Sequence, residues 1–154
     1  MVSPLIQPVI IQTSTATLEL HRLSSLQERS GNLTYTITPS PDNAYISIKV
    51  TGDITRDSAM EHNIKANILG KKLGINKYLM DLTEARNTES IIDNYKFAYE
   101  DMTAPDIDPS ARVAVLVSPD DNSHNFVMTA MMNAGLNVAL FNDMESAKKF
   151  LRGE

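Results

Sequence analysis

The chain has 154 residues, of which 42% are hydrophobic and 21% charged, enough to bury the core of one globular domain. The formal net charge is −5 and the basic residues form no dense patch, which argues against nucleic acid as a partner. The absence of cysteine excludes disulfides, thiolate metal sites and thiol nucleophiles.

Residues 1–31 differ in character from the remainder of the chain. Their Pro- and Thr-rich sequence carries an apolar patch without a sustained period, formed by Leu5, Ile6, Val9, Ile10 and Ile11. No Lys or Arg precedes the apolar part, and two prolines interrupt a run that is too short to cross a bilayer. We therefore expect a cytoplasmic protein without a membrane partner, in which residues 1–31 form an apolar arm that packs on the domain or on a second subunit.

The following segment predicts a β-hairpin. "LTYTIT" and "AYISIKV" alternate apolar and polar residues, and "PSPDN" supplies turn residues between them. After Gly52 the apolar spacing becomes helical, and helical patterns then alternate with three short apolar runs, "KYLMDL", "RVAVLVS" and "NVALFN". Residues 32–154 are thus predicted to form one α/β domain, with a mixed, mostly parallel sheet of about five strands, an N-terminal hairpin and four helices.

Two helical patterns also suggest contact surfaces. Ile91, Tyr95, Ala98 and Met102 follow helical spacing and predict the packed side of a helix. Tyr95, Phe97 and Tyr99 with Met102 suit either plain core or the lining of an apolar pocket, which we place under Tyr95, Tyr99 and Phe126. "NFVMTAMM" is rich in methionine, which suits an adaptable core or a pliable contact surface. This segment and the N-terminal arm lead us to expect a homodimer.

Ligands of parallel α/β sheets collect at the carboxyl ends of the strands. "YLMDLT" predicts a strand that ends at Asp81, and six polar residues near such ends are the candidate ligand- or partner-binding residues: Asp81, Thr83, Arg86, Ser118, Asp121 and His124. Acidic groups at this edge suit Mg²⁺, but the same residue types are favoured helix N-caps, and capping is our interpretation of most of them. We expect no metal and no cofactor.

The sequence contains no nucleotide-binding glycine motif and no G-x-S-x-G motif. His124 stands beside Asp121 and Ser123, where it is either an acid, base or ligand or a solvent-facing residue of a first helical turn. No candidate catalytic residue stands beside His21 or His62 in the sequence. The remaining enzymatic alternative is a metal-dependent hydrolase that uses Asp81, Asp121 and His124.

The order of elements, with "VTGDIT" before the first helix and "YLMDLT" in the next strand, resembles the STAS family of anti-sigma-factor-antagonist-like domains over residues 32–152. "GLNVALFNDMESAKKFL" resembles the end of small bacterial STAS-like proteins. The resemblance implies a non-enzymatic domain that regulates or binds a partner protein. Its alternative is a module for a small apolar, lipid-like ligand, since related sheets occur in lipid-binding proteins.

Signalling STAS domains carry a D-S-S-G segment in which a serine is phosphorylated. The matching segment here is Glu89-Ser90-Ile91-Ile92, so that Ile91 stands where the phosphorylated serine is usual. Ser90 and Thr88 remain as candidate phosphosites, because the charge of a phosphate suits a helix N-terminus.

Overall fold

The computed structural model describes residues 26–30 and 32–154. The strands are β1 (Leu26–Ser30), β2 (Leu33–Pro39), β3 (Ile46–Ile54), β4 (Lys77–Asn87), β5 (Arg112–Leu116) and β6 (Asn137–Phe141). The helices are α1 (Arg56–Leu73), α2 (Ile91–Tyr99), α3 (Asn125–Asn133) and α4 (Met144–Arg152), with a 3₁₀ turn at Asp101–Thr103. In the described part of the chain, no helix is both long and apolar enough to cross a bilayer.

The described strands form one six-stranded sheet in the order β1-β2-β3-β4-β5-β6. The first three strands are antiparallel neighbours, whereas β3 to β6 are parallel, as expected for strands that are joined by helices. The predicted fold class is therefore confirmed. Strand β1 adds to the five predicted strands and lies within the segment that was expected to be an arm; residues 1–25 of that arm are outside the described residues.

The two faces of the sheet carry different layers. The larger core cluster joins the sheet to α1, α2 and α3, and the smaller one joins it to α4 through Leu79, Ala114, Ala147 and Leu151. Because side chains alternate along a strand, Tyr78 and Met80 of β4 face the larger core, and Leu79 between them faces α4. The site residues are thus divided between two faces.

One local prediction was wrong and another was right only in part, because contacts distant in sequence decided them. Strand β4 does not end at Asp81 but continues to Asn87, since it pairs with β3 over its whole outer part through a register shift between Lys49 and Thr51. Of the predicted face of helix α2, Ala98 is buried and Met102, just after the helix, packs against the core. Ile91 and Tyr95 of that face are exposed, and Asn94 and Phe97 are buried in their place.

Gly52 is a point where the chain tolerates no side chain. It lies in β3 opposite Leu33 with a φ of 110°, and a Cβ atom there would overlap the carbonyl oxygen of Asn32. Gly74 also has a positive φ, of 71°, but a Cβ atom there would meet open space.

We expect Gly52→Ala to lower the free energy of unfolding by about 2–4 kcal/mol, because it adds a steric overlap to an unfavourable backbone conformation. The matched control Gly74→Ala should cost only about 1 kcal/mol, from the backbone conformation alone. Urea denaturation of both variants measures the difference. Equal losses would show that the contact with Asn32 imposes no constraint.

Candidate functional site

The outer half of β4 organises the polar residues that the sequence singles out. Strand β4 has 11 residues and β5 only 5, and their pairing stops at Asp81 opposite Leu116. Beyond this point β3 still pairs with β4 on one side, but β5 no longer covers the other edge. Buried backbone N–H and C=O groups require partners, so that other groups must supply them along residues 83–87.

Side chains of the loop after β5 meet this requirement through three contacts, which we call the edge ladder. These contacts are Ser118 Oγ to Thr83 O (3.0 Å), His124 Nε2 to Ala85 O (3.0 Å) and Asn87 N to Ser123 Oγ (3.0 Å). A carbonyl oxygen only accepts hydrogen bonds, so Nε2 of His124 carries the proton. His124 is buried rather than solvent-facing, with 2% of its surface exposed.

Asp121 joins the edge ladder to the surface. Its carboxylate accepts a hydrogen bond from the backbone N of Ser123 (2.9 Å) and lies 3.4 Å from His124 Nε2 and 3.9 Å from Arg86 Nη1. Partial burial raises the pKa of Asp121, but the hydrogen bonds from Ser123 and the charges of His124 and Arg86 outweigh it, so that the pKa lies below its usual value. Asp121 therefore stays ionised at neutral pH and orders the loop.

Asp81 lies apart from this cluster. It accepts hydrogen bonds from the backbone N (3.0 Å) and Oγ1 (2.6 Å) of Thr83 and lies 3.4 Å from Lys49 Nζ. Burial raises the pKa of Asp81, but the hydrogen bonds from Thr83 and the charge of Lys49 together outweigh burial. The pKa of Asp81 therefore lies below its usual value. Its side chain alternates with Met80, which faces the larger core, and therefore projects from the face that α4 covers.

The trio of the hydrolase alternative is consequently divided. Asp121 and His124 are neighbours, whereas Asp81 contacts Lys49 and Thr83 on the opposite face. Within residues 26–30 and 32–154, no group of three or more His, Asp or Glu side chains is arranged to hold a metal ion.

The two candidate phosphosites border α2. Ser90 is exposed and is the N-cap, since its Oγ accepts a hydrogen bond from Asp93 N and also lies 3.1 Å from the Asp93 carboxylate. Thr88 Oγ1 donates to the carbonyl oxygen of Ile54 (3.0 Å). A phosphate on Ser90 would meet the like charge of Asp93. Phosphorylation of either residue stays a prediction.

Helix α2 packs mainly against α3 and the 3₁₀ turn, and polar contacts fasten it to α1. Glu89 Oε2 accepts a hydrogen bond from the backbone N of Arg56 (2.7 Å). The Arg56 guanidinium makes two hydrogen bonds to Asp101 (2.6 and 2.8 Å) and lies 3.5 Å from Asp93. These contacts hold α2 above the sheet.

The outward side of α2 is apolar. Four exposed side chains form what we call the apolar face of α2: Ile91 (68% exposed), Ile92 (67%), Tyr95 (51%) and Tyr99 (37%). Residues three and four apart are neighbours on a helix, and the rings of Tyr95 and Tyr99 stack with centroids 4.5 Å apart. Phe126 and Met132 of the adjacent α3 are also exposed. Tyr95, Tyr99 and Phe126 therefore do not line a pocket, because these rings face outward.

A cavity of about 70 Å³ lies instead between the sheet and helices α1, α2 and α3. Its lining is mostly apolar and includes Met80, Phe97 and Met128, together with two buried histidines, His62 and His124. The sequence predicted Phe97 and Met102 as pocket-lining residues and His124 as a binding residue, but it did not single out His62. The available signal was His62, a lone imidazole between Ala59 and Ala66 on the buried side of α1.

His62 has no hydrogen-bond partner for either ring nitrogen among the described residues, although only 1% of its surface is exposed. Its ring packs 5.6 Å from that of Tyr35. Burial lowers the pKa of His62 from 6.5 to about 4, so that the imidazole is neutral at neutral pH. A neutral imidazole offers one N–H donor and one acceptor nitrogen, and both are unpaired here.

No family model matches the sequence. No curated protein sequence matches it either. Among solved structures, the chain is similar to a protein from Shewanella loihica PV-4 that is described as an uncharacterised member of the DUF3478 family with a SpoIIAA-like fold. The alignment covers 80% of this chain and 97% of that chain, with 17% identity and a TM-score of 0.46.

We expect His62→Leu to raise the free energy of unfolding at neutral pH by about 1–3 kcal/mol, because it removes two unpaired buried polar atoms. The gain should grow as the pH falls. The unfolded chain takes up a proton below a pH of about 6.5, whereas folded His62 does so only near 4, so wild-type stability falls within this window by up to about 3 kcal/mol.

Urea denaturation of wild type and His62→Leu between neutral pH and pH 4 measures both effects. All other ionisable groups are common to the two proteins, so the difference in their stabilities isolates His62. A difference that does not change with pH would contradict a buried, neutral imidazole.

Ser123→Ala tests the edge ladder. The substitution removes the hydroxyl that accepts a hydrogen bond from the Asn87 amide. Because such a hydrogen bond contributes about 1 kcal/mol, its loss should make hydrogen exchange at the Asn87 amide roughly fivefold faster. The control Ser110→Ala alters an exposed serine that contacts only Asp108 and should leave this rate unchanged. Exchange measured by NMR that is equally slow in both variants would contradict the assigned contact.

Proposed function

We propose that the protein is a non-enzymatic interaction domain of STAS-like type that binds a partner protein through the apolar face of α2. The observation that carries this proposal is the row of exposed Ile91, Ile92, Tyr95 and Tyr99 side chains on one nine-residue helix. Burial of an aliphatic or aromatic side chain contributes about 1.5–3 kcal/mol, so a partner that covers this row gains substantial free energy. Contiguous exposed apolar surface of this kind is typical of interaction sites.

A non-catalytic role is supported by what the polar candidates already do. Ser118 and His124 hydrogen-bond to the backbone of β4, and Asp81 is engaged by Thr83 and Lys49. A nucleophile, a base and an oxyanion-binding group would have to converge on one open position for acyl or phosphoryl transfer. The engaged side chains are better explained as structural ties.

The partner that we propose first is a second copy of the chain. The apolar face of α2 is a single row of exposed side chains, so antiparallel pairing of two α2 helices about a twofold axis would cover the row of each copy with that of the other. Such a face is complementary to itself, as a symmetric dimer requires.

We expect Tyr95→Glu to weaken self-association at least tenfold, because it places a charge at the centre of the proposed interface. Met144→Glu is the matched control, since Met144 is a similarly exposed apolar residue at the start of α4, on the other face of the sheet. Sedimentation velocity over a concentration series measures both. A wild type that stays monomeric at high micromolar concentration would contradict the homodimer.

A different protein partner requires a separate measurement. A photo-cross-linker at position 95 in cells, compared with one at position 144, reports which surface meets other proteins. A discrete adduct from position 95 alone supports the proposal, and identical patterns from both positions contradict it.

A further inference from the structure

The cavity beneath α2 contains a polar group whose requirements the described residues do not meet. Only 1% of the surface of His62 is exposed, the residue lines the cavity, and neither ring nitrogen has a hydrogen-bond partner in the described part of the chain. Nearly all buried polar atoms in native proteins are hydrogen-bonded, so an exception calls for an occupant. The second histidine of the lining does not share this need, because His124 Nε2 already contacts Ala85 O.

The size of the cavity limits this occupant. Its volume of about 70 Å³ exceeds the roughly 10–15 Å³ that a single water needs and is about half of a ~150 Å³ engineered cavity that holds benzene. Methionines line much of the wall, among them Met80, Met102, Met128 and Met131. Their unbranched side chains rearrange at low cost. The cavity can therefore expand to hold a molecule a few heavy atoms larger than its present volume admits.

The charges around the cavity limit the chemistry of the occupant. Arg56 and Glu89 lie at the rim of the cavity, and both charges already have partners. The Arg56 guanidinium donates a hydrogen bond to Asp101, and the Glu89 carboxylate accepts one from the backbone N of Arg56. Among the described residues of the cavity wall, no cation is therefore left to pair with a carboxylate or phosphate group of a bound molecule. A buried ion without a partner is strongly disfavoured, whereas a neutral hydroxyl or carbonyl matches a neutral imidazole.

We propose that this cavity binds a small neutral molecule with an apolar body and one hydroxyl or carbonyl group, which hydrogen-bonds to the ring of His62. The apolar body packs against the side chains of the sheet and the methionines, and His62 supplies the polar recognition. The site lies on the inner side of α2 and does not depend on the apolar face on its outer side.

NMR titration of the full chain with cyclopentanol and cyclopentanone tests the proposal. We expect saturable shifts of the His62 ring nitrogens and of the Met128 and Met131 methyl groups, with a Kd on the order of 1 mM. His62→Leu should weaken the binding of both probes about tenfold through the lost hydrogen bond. Cyclopentane, which lacks the polar group, should bind His62→Leu at least as well as wild type.

Two further variants keep the outcomes distinct. Ala59→Leu adds bulk at the cavity wall and should abolish binding even if His62→Leu fails to fold. Tyr95→Glu alters only the outer face of α2 and should leave binding unchanged, so that failure of the proposed protein interface is separable from failure of the cavity site. Unsaturable shifts, shifts centred on Ile91 and Ile92, or equal affinity in wild type and His62→Leu would overturn the proposal.

Discussion

The unequal length of two neighbouring strands is the constraint from which the edge ladder of this protein follows. Strand β4 extends to Asn87, well past the end of β5, and its free backbone groups cannot be left unpaired in the interior. Ser118, Ser123 and His124 supply the missing hydrogen bonds from the loop that leads into α3. The same residue types that suggest catalysis in the sequence are therefore needed to complete a sheet.

A second consequence concerns α2, which begins four residues beyond the end of β4. Packing on α3 and the polar contacts of Arg56 and Glu89, rather than close packing on the strands, hold the helix in place. A helix held in this way leaves space beneath it and presents its outer side to solvent. The cavity around His62 and the exposed apolar face are thus two sides of one arrangement, which explains why the proposed partner site and the proposed ligand site share one element.

The sequence located part of this region and missed the rest for identifiable reasons. Arg86, Asp121 and His124 were expected near a strand end and do lie together there. Asp81 was expected beside them, but the longer β4 and the alternation of its side chains place it on the other face. His62 carried no motif, and only the layers packed above and below it reveal that its ring has no partner.

The sequence by itself determined the order of elements, the hairpin and the end of α1 at Gly74, because alternation, turn residues and caps act between residues close in the chain. The tertiary structure decided where β4 ends and which side of α2 is buried. Ile91, Tyr95 and Ala98 have the spacing of a core-facing row, yet only Ala98 of the three is buried, together with Asn94 and Phe97. Periodicity specifies that a helix has an apolar row, but only the position of the neighbouring layers determines which row is withdrawn from water.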